Sequence, residues 1–215
     1  MSITVDYRLF SCKIVVMSKV GVGIITCDRP DMYDICIESI DKSWYDELVV
    51  VDDGKKDHPN HNRDGIYIQT TGGEGVGKAK NSALKHLMDE GCDYIILIED
   101  DMKFTGNIFK EYIDAYEQTG IHHFMFAYHG PANKAGVSYG KPVPRKVIDY
   151  GDHKIALNQH CVGAVTFYTK ESLDAVGLYD EGYTNAFEHV DHSYMLAKNN
   201  YSTPYWWWAD IANSL

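Results

Sequence analysis

The segment Asp93–Met102 places the strongest limit on what this chain can fold into. Residues 94–98 form a short apolar run rich in isoleucine, which predicts a strand buried on both faces of a sheet. Three carboxylates, Glu99, Asp100 and Asp101, follow at its carboxyl end. Adjacent carboxylates repel one another, so the triplet indicates a divalent cation that prefers oxygen ligands. A solvated turn that merely ends the strand is the alternative interpretation.

Similar apolar runs alternate with amphipathic segments along the rest of the chain. This succession predicts an α/β fold, a single Rossmann-like domain with a mostly parallel central sheet flanked by helices. The other predicted strands are Val20–Thr26, Glu47–Gly54, Gly65–Thr70, His122–Tyr128, Cys161–Thr169 and Tyr205–Asp210. The predicted helices are Met32–Ser43, Val76–Glu90, Gly106–Thr119, Lys170–Val176 and Glu188–Lys198. A long loop is expected over Gly130–Asp152, which is rich in Gly, Pro and Lys.

The length and charge of the chain restrict its organisation and its partners. With 215 residues it can bury one sizeable core, so we predict one domain over residues 17–215 after an N-terminal extension, residues 1–16. A net charge of −11 argues against nucleic acid as a partner. The sequence contains no apolar run of about 18 residues, so no transmembrane segment is predicted. Five scattered cysteines indicate buried thiols in a reduced, cytoplasmic compartment.

Several predicted strands end in residues that could hold a ligand. In open α/β sheets, ligands bind outside the carboxyl ends of the strands. Asp52 and Asp53 lie at the carboxyl end of the second strand, and the glycine-rich segment Gly72–Lys80 follows the third. That segment nearly matches a P-loop, but Ala79 stands where a P-loop carries a magnesium-binding hydroxyl. Its glycines could still bring backbone N–H groups to a phosphate, and a flexible turn before a helix is the alternative.

Taken in order, these motifs resemble those of glycosyltransferases with the GT-A fold, and the family 2 group is most similar. The resemblance extends from about Val20 to Lys198. The motifs that carry it are Thr26-x-x-Arg29, Asp52-Asp53-Gly54, Gly75-x-Gly77-x-x-x-Asn81, Glu99-Asp100-Asp101, and Val176–Glu181 followed after six residues by Glu188–Tyr194.

The resemblance implies a binding site for a nucleotide-sugar. Asp53, and with it Asp52, would contact the base or ribose, while Lys80 and Asn81 would lie near the ribose or the diphosphate. The full set that the resemblance assigns to the donor is Thr26, Arg29, Asp52, Asp53, Gly75, Lys80, Asn81 and Asp100.

The resemblance also implies a metal ion and a general base. Asp101 would ligate manganese or magnesium together with Glu99, and a histidine could complete the set of ligands, with His192 first and His189 and His160 as the alternatives. The family usually has Glu-Asp at Glu188-His189, and the aspartate of that pair is often the base. Glu188, His189 and Asp191 therefore all remain candidates for the base. The two carboxylates, Glu188 and Asp191, are preferred because the family uses a carboxylate as the base. They lie three residues apart on a helix, so both could face the cleft.

The sequence therefore predicts a metal-dependent, inverting glycosyltransferase. The expected donor is a nucleoside-diphosphate-sugar, with a UDP-sugar first, and the expected acceptor is a glycan or glycoconjugate. A sugar-phosphate nucleotidyltransferase and a non-catalytic nucleotide-sugar or carbohydrate-binding domain are the alternatives. Against the first, the segment after the first strand is Cys27-Asp28-Arg29-Pro30 rather than a basic, Gly-rich loop.

Overall fold

The computed structural model describes residues 18–56, 65–127, 143–203 and 207–212. The predicted N-terminal extension, most of the loop Lys55–Asp64, residues 130–142 of the predicted long loop and Tyr205–Trp206 lie outside these residues. The described strands are β1 (Val20–Thr26), β2 (Glu47–Asp52), β3 (Ile66–Gln69), β4 (Tyr94–Glu99), β5 (His123–Ala127), β6 (Lys146–Tyr150), β7 (His153–Asn158), β8 (Cys161–Thr169) and β9 (Trp208–Ile211). The described helices are α1 (Pro30–Glu38), α2 (Val76–Asp89), α3 (Ile108–Thr119), α4 (Lys170–Val176) and α5 (Glu188–Lys198), with a 3₁₀ turn at Lys42–Trp44.

The central sheet has six strands in the order β3-β2-β1-β4-β8-β5. Strands β3, β2, β1 and β4 are parallel, as predicted, whereas β8 runs antiparallel to both β4 and β5. The carboxyl ends of β1, β2 and β4 therefore meet at one edge of the sheet. The predicted α/β fold with a mostly parallel central sheet is confirmed.

Helices cover both faces of the central sheet, and alternate residues of each strand enter two separate cores. Val22 and Ile96 pack on the face of α1 and α3, whereas Val49 and Leu97 pack on the face of α2. Helix α2 lies close to β1, because a Cβ atom on Gly23 would come within 2.9 Å of Ala83 Cβ. This close packing fixes the position of α2, whose first residues border the site described below.

A second sheet is built from β6, β7 and β9, all antiparallel. The prediction of a loop up to Asp152 is wrong here, because β6 occupies residues 146–150. The second sheet is held to the central one by Asp210, which is 1% exposed. Its carboxylate accepts hydrogen bonds from Tyr112 Oη on α3 (2.9 Å) and from the backbone N–H of Ala127 on β5 (3.1 Å).

Most predicted boundaries agree with the structure to within two residues, but α1 is shorter than predicted. It begins at Pro30 and ends at Glu38 instead of continuing to Ser43. Asp41 accepts a hydrogen bond from the backbone N–H of Ser43 (2.8 Å) and so caps the separate 3₁₀ turn. A capping aspartate competes with continued helix, which explains the early end.

The state of the cysteines and the length of the helices can be compared with the predictions of buried thiols and of no transmembrane segment. Cys27, Cys36, Cys92 and Cys161, the four cysteines in the described residues, are free thiols. Cys36 and Cys92 are buried as predicted, whereas Cys27 is exposed. Among the described helices, none is long and apolar enough to cross a bilayer.

Candidate active site

A cleft of about 740 Å³ opens at the carboxyl ends of β1, β2 and β4. This volume lies within the range of about 300–1,000 Å³ that is typical of small-molecule sites. Its lining combines predicted site residues with residues that sequence reasoning missed. The predicted residues in the lining are Thr26, Arg29, Asp53, Gly75, Glu99, Glu188 and His189. The missed residues include Cys161, Val162 and Gly163 of β8 and Thr184, Asn185 and Ala186 before α5.

On the β2 side of the cleft, Asp53 organises the glycine-rich turn before α2. Its carboxylate accepts hydrogen bonds from Thr70 Oγ1 (2.5 Å) and from the backbone N–H groups of Glu74 (2.9 Å) and Gly75 (2.8 Å). Burial raises the pKa of this carboxyl, but the three hydrogen bonds outweigh burial and hold the pKa below its usual value. Asp53 is therefore ionised at neutral pH and gives this wall of the cleft a fixed shape.

Asp52, the neighbouring residue of the predicted donor site, points into the fold instead. Its side chain is fully buried, and it accepts hydrogen bonds from the backbone N–H of Gly54 (2.7 Å) and from Tyr67 Oη (2.6 Å). Within the described residues, Asp52 is not part of the cleft lining. Asp52 is the last residue of β2, and successive side chains of a strand point to opposite faces. The side chain of Asp52 therefore points away from that of Asp53.

The acidic triplet after β4 divides into three different environments. Asp100 is buried, accepts a hydrogen bond from Thr26 Oγ1 (2.7 Å) and pairs with Arg29 Nη2 (2.5 Å). Burial raises the pKa of Asp100, and Thr26 and Arg29 offset only part of that effect. The Asp101 side chain is 44% exposed, with Arg29 Nη1 at 3.6 Å. Glu99 lines the cleft, whereas Asp101 lies next to it in the chain but outside the described lining. Asp101 is therefore the most accessible carboxylate of the triplet.

Lys80 lies at the centre of a buried ionic junction that the sequence did not predict. It has no exposed surface, and its Nζ contacts Glu99 Oε1 (2.8 Å), Glu188 Oε1 (2.8 Å) and the carbonyl oxygen of Gly163 (3.1 Å). Burial lowers the pKa of Lys80, but the two carboxylates raise it by more than burial lowers it. The resulting pKa is above the usual value for lysine. Lys80 is therefore charged, and it joins α2, β4, β8 and α5 beneath the floor of the cleft. Its predicted contact with the diphosphate stays a prediction.

The first turn of α5 brings two candidate bases to the cleft. Glu188 is 2% exposed, and His189 Nδ1 lies 3.2 Å from Glu188 Oε1. Burial raises the pKa of Glu188, but the hydrogen bond from His189 and the charge of Lys80 lower it to about 2. In the part of the chain that the structure describes, Asp191 does not line the cleft, so the expectation that both carboxylates face it does not hold.

The start of α2 is locked to the segment that precedes α5. Gly75 has φ 106°, and a Cβ atom there would come within 2.7 Å of the carbonyl oxygen of Thr184. Asn81, assigned to the donor from sequence, donates instead to Tyr179 O and Glu181 Oε1, both at 3.0 Å. It is 2% exposed, and its amide also accepts a hydrogen bond from Tyr179 N (3.0 Å). Asn81 therefore ties α2 to the segment 179–181 and is not exposed to the cleft.

The predicted metal ligands are not gathered into one cluster. His192 lies inside the fold, where its Nε2 donates to the carbonyl oxygen of Gly177 (2.8 Å) and its ring packs against Tyr168 and Tyr179. In the described residues, no three His, Cys, Asp or Glu side chains are grouped to hold a metal. Magnesium is commonly bound by only one or two carboxylates plus substrate phosphates, and the exposed Asp101 carboxylate fits that mode. His192 does not fit it, because both its contacts and its burial hold it away from solvent.

Comparisons with known proteins agree on the type of fold. A family model described as glycosyl transferase family 2 matches residues 22–173. The crystal structure of S. aureus TarS residues 1–349 superimposes with a TM-score of 0.59 at 15% identity, covering 82% of this chain and 55% of that chain. The same TarS fragment in complex with UDP gives a TM-score of 0.58 at 15% identity, covering 82% and 54%.

A third similar structure is the mannosyltransferase PcManGT from Pyrobaculum calidifontis in complex with GDP-Man and Mn²⁺. It superimposes with a TM-score of 0.55 at 14% identity, covering 82% of this chain and 52% of that chain. This chain thus spans about half the length of these solved structures. No curated protein sequence matches it.

Proposed function

The chain belongs to glycosyl transferase family 2, and we propose that it transfers a sugar from a nucleoside-diphosphate-sugar to an acceptor hydroxyl in the cleft beside β1, β2 and β4. The observation that carries the proposal is the convergence of Thr26, Arg29, Asp53, Glu99 and the start of α5 on this one cleft. A glycan or glycoconjugate is the proposed acceptor. A UDP-sugar is the first donor to test, and the TarS structure in complex with UDP supports that choice.

The donor half of the cleft suits a nucleoside diphosphate. Asp53 provides a fixed carboxylate at the end of β2, in a position to accept hydrogen bonds from a base or ribose. Arg29 provides a cationic group with 42% of its side chain exposed, available to the negative charge of a diphosphate. Fixed charges of both signs in a partly enclosed cleft orient a polar ligand at little cost in reorganisation.

A divalent cation, manganese or magnesium, is part of the proposal. Asp101 would hold it, since its carboxylate is the accessible one in the acidic triplet. When bound, the cation would neutralise charge on the diphosphate and stabilise the departing nucleoside diphosphate. Arg29 lies between Asp100 and Asp101, so this side chain would also adjust its pairing when the diphosphate arrives.

The start of α5 would provide the base that an inverting reaction needs. Direct displacement at the anomeric carbon needs a base beside the acceptor hydroxyl, which contributes about 10²–10⁴-fold to the rate. Glu188 and His189, in the first turn of α5, line the same cleft as Arg29 and Asp53. An inverting mechanism is therefore the one that the side chains support.

The metal assignment can be tested with Asp101→Ala, which removes the accessible carboxylate. With manganese present, we expect kcat/KM for release of nucleoside diphosphate to fall roughly 100-fold, equivalent to about 3 kcal/mol of lost stabilisation. UDP-glucose, UDP-N-acetylglucosamine and GDP-mannose serve as the donor panel. Asp89→Ala is the matched control and should keep full activity. Asp89 is an exposed acid at the C-terminal end of α2, the end away from the cleft.

The two parts of the proposal fail in different ways. Full activity of Asp101→Ala at limiting manganese would refute the metal assignment alone. Failure of the unmodified protein to release nucleoside diphosphate from any donor, together with no thermal shift by these donors, would refute the transferase proposal itself.

A further inference from the structure

We propose that His189 is the general base of the transfer reaction and that Glu188 is the residue that positions it. This inference rests on the proposed function, which it makes specific. His189 stands where the family usually has an aspartate, and the structure gives reasons why an imidazole at this place can remove the proton from an acceptor hydroxyl.

The first reason is the contact between the two side chains. His189 Nδ1 lies 3.2 Å from Glu188 Oε1, and the same oxygen accepts a hydrogen bond from Lys80 Nζ at 2.8 Å. The imidazole also packs over the backbone of β8, because a Cβ atom on Gly163 would come within 2.9 Å of His189 Cγ. The ring is therefore fixed on one side by Glu188 and on another by β8, and it borders the cleft.

The second reason is the tautomer that this contact selects. Glu188 is ionised at neutral pH, because His189 and Lys80 overcome the effect of burial and lower its pKa to about 2. An ionised carboxylate can only accept a hydrogen bond, so Nδ1 of neutral His189 must carry the proton. The lone pair then lies on Nε2, for which no partner is found among the described residues. A carboxylate that orients an imidazole in this way also stabilises the imidazolium that forms.

The third reason is that the competing carboxylates are poorly suited to the role. A carboxyl with a pKa of about 2 has little affinity for a proton, and Glu188 Oε1 already accepts two hydrogen bonds. Glu188 Oε2 is also buried. Asp191 is outside the lining formed by the described residues.

Other charged groups surround the imidazole and must be considered in any pH dependence. The α5 helix contributes Glu188 and Asp191, α2 contributes Lys80, and β4 contributes Glu99, while Cys161 lies on β8. The cleft lining also contains the charged groups Arg29 and Asp53.

The chemical step is a single displacement. As the acceptor oxygen forms a bond to the anomeric carbon, its proton passes to Nε2 of His189. The bond between the anomeric carbon and the diphosphate oxygen breaks, and its electron pair leaves with the nucleoside diphosphate. The imidazolium then returns the proton to solvent.

The test is the pH dependence of kcat for donor hydrolysis, in which water replaces the acceptor. It is measured from pH 5 to 9 at saturating manganese with whichever of UDP-N-acetylglucosamine, UDP-glucose or GDP-mannose is turned over. We expect the kcat of the unmodified protein to fall as pH decreases through the range of about 5–8 in which histidines titrate. His189→Asn should lose about 10²–10⁴-fold in kcat while the donor KM changes less than about threefold.

Two further variants separate a base from a structural residue. His189→Asp should restore part of the lost kcat and move the acidic decline to lower pH, because a carboxylate base stays deprotonated there. Glu188→Gln should lower kcat and also move the decline to lower pH, since the imidazolium loses its counter-ion. His153→Asn on β7, outside the described lining, is the matched control and should keep both kcat and its pH profile.

The outcomes discriminate between the inference and the function on which it rests. A flat kcat from pH 5 to 8 in the unmodified protein, or unchanged kcat in His189→Asn, would overturn the role of His189 and leave the transferase proposal in place. An unmodified protein that turns over no donor would overturn both. The pH profile of the unmodified protein needs no variant, so the inference remains testable even if His189→Asn does not fold.

Discussion

Lys80 is a lysine without exposed surface, held by Glu99 on β4 and Glu188 on α5. Removing an ammonium group from water costs several kcal/mol, and only close counter-charges and hydrogen bonds offset that cost. Two carboxylates at 2.8 Å and the Gly163 carbonyl provide them. Because a single cation faces two anions, the junction retains a net negative charge next to the cleft. Its integrity decides where Glu188, and through it His189, can lie.

We expect Lys80→Met to reduce the free energy of unfolding by about 3–5 kcal/mol, because it leaves two buried or half-buried carboxylates without their cation. Lys85→Met on the same helix is the matched control. Lys85 also pairs with a glutamate, Glu181 at 3.6 Å, but its side chain is 60% exposed, so the loss should be at most about 1 kcal/mol. Urea unfolding of both variants makes the comparison, and equal losses would contradict the proposed importance of the junction.

Single residues at strand ends were accessible to sequence reasoning, whereas their partners were not. Asp53, Glu99 and Arg29 follow recognisable strands, so their place at the carboxyl edge of the sheet could be predicted. The ion pair of Lys80 with Glu188 joins residues 108 positions apart. No local pattern specifies such a pair, because the packing of four elements brings it together.

The N-terminus of α2 meets the segment before α5 without room for a side chain at their contact. The backbone N–H of Val76 donates to Thr184 O (3.1 Å), and Gly75 adopts a positive φ that favours glycine. Since Thr184 also lines the cleft, the fit between these two elements sets the width of the site.

We expect Gly75→Ala to destabilise the protein by more than Gly91→Ala. Both glycines have positive φ, 106° and 77°, which alone costs an alanine about 1 kcal/mol. At Gly91 an added Cβ would meet nothing within 4 Å, whereas at Gly75 it would lie 2.7 Å from Thr184 O. Overpacking should add about 1–3 kcal/mol to the loss at Gly75 and weaken donor binding. Thermal unfolding and the thermal shift by UDP measure both effects, and equal changes in the two variants would exclude a steric contact.

At the level of elements, long periodic segments were predictable and the short second sheet was not. Strand β8 and helices α4 and α5 begin and end where the sequence predicted. The β6 segment Lys146–Tyr150 is mostly exposed and half-exposed, so it lacks the apolar run that reveals a buried strand. The strand β7 owes its form to pairing with β6 and β9, which is tertiary information.

For the whole molecule, two buried groups whose pKa values are lowered by folding should make the free energy of unfolding decrease in acid. His123 is 3% exposed and stacks on Tyr168, and burial lowers its pKa from 6.5 to about 3. Between these values the unfolded chain binds a proton that the native protein does not, so stability falls as pH decreases from 6.5 towards 3. Glu188 acts in the same direction between pH 4.5 and about 2, because its native pKa is also lowered.

We expect the free energy of unfolding to decrease by up to about 1.4 kcal/mol per pH unit for His123 in this window. His123→Phe should reduce that slope between about pH 6 and 4, although it also lowers stability at pH 7 by leaving Ser193 Oγ and Phe167 O without their hydrogen bonds. Chemical unfolding at several pH values gives the slope. His153→Phe is the control, and a slope unchanged in His123→Phe would refute the assignment.

The fold class could be predicted from the order of strands and helices along the sequence, but the position of each strand within the sheet could not. In the parallel part, β3-β2-β1-β4, strands β1, β2 and β3 lie beside their neighbours in the sequence, as is usual. The insertion of β8 between β4 and β5 reverses one strand and brings Gly163 to Lys80 and His189. Apolar runs specify burial on both faces, which is the same for a parallel strand and an antiparallel one.

That insertion also has a consequence for protein synthesis. In the described central sheet, β5 pairs only with β8. Because β5 comes before β8 in the sequence, it leaves the ribosome before the strand with which it pairs. After β4 has emerged, about 70 further residues must be translated before β8 can cover its edge, which takes roughly 4–14 s at ordinary elongation rates. During that interval the nascent chain exposes an unpaired apolar strand edge of the kind that chaperones protect. The cleft can assemble only after the α5 segment, which contributes Glu188 and His189 to its lining, has also been synthesised.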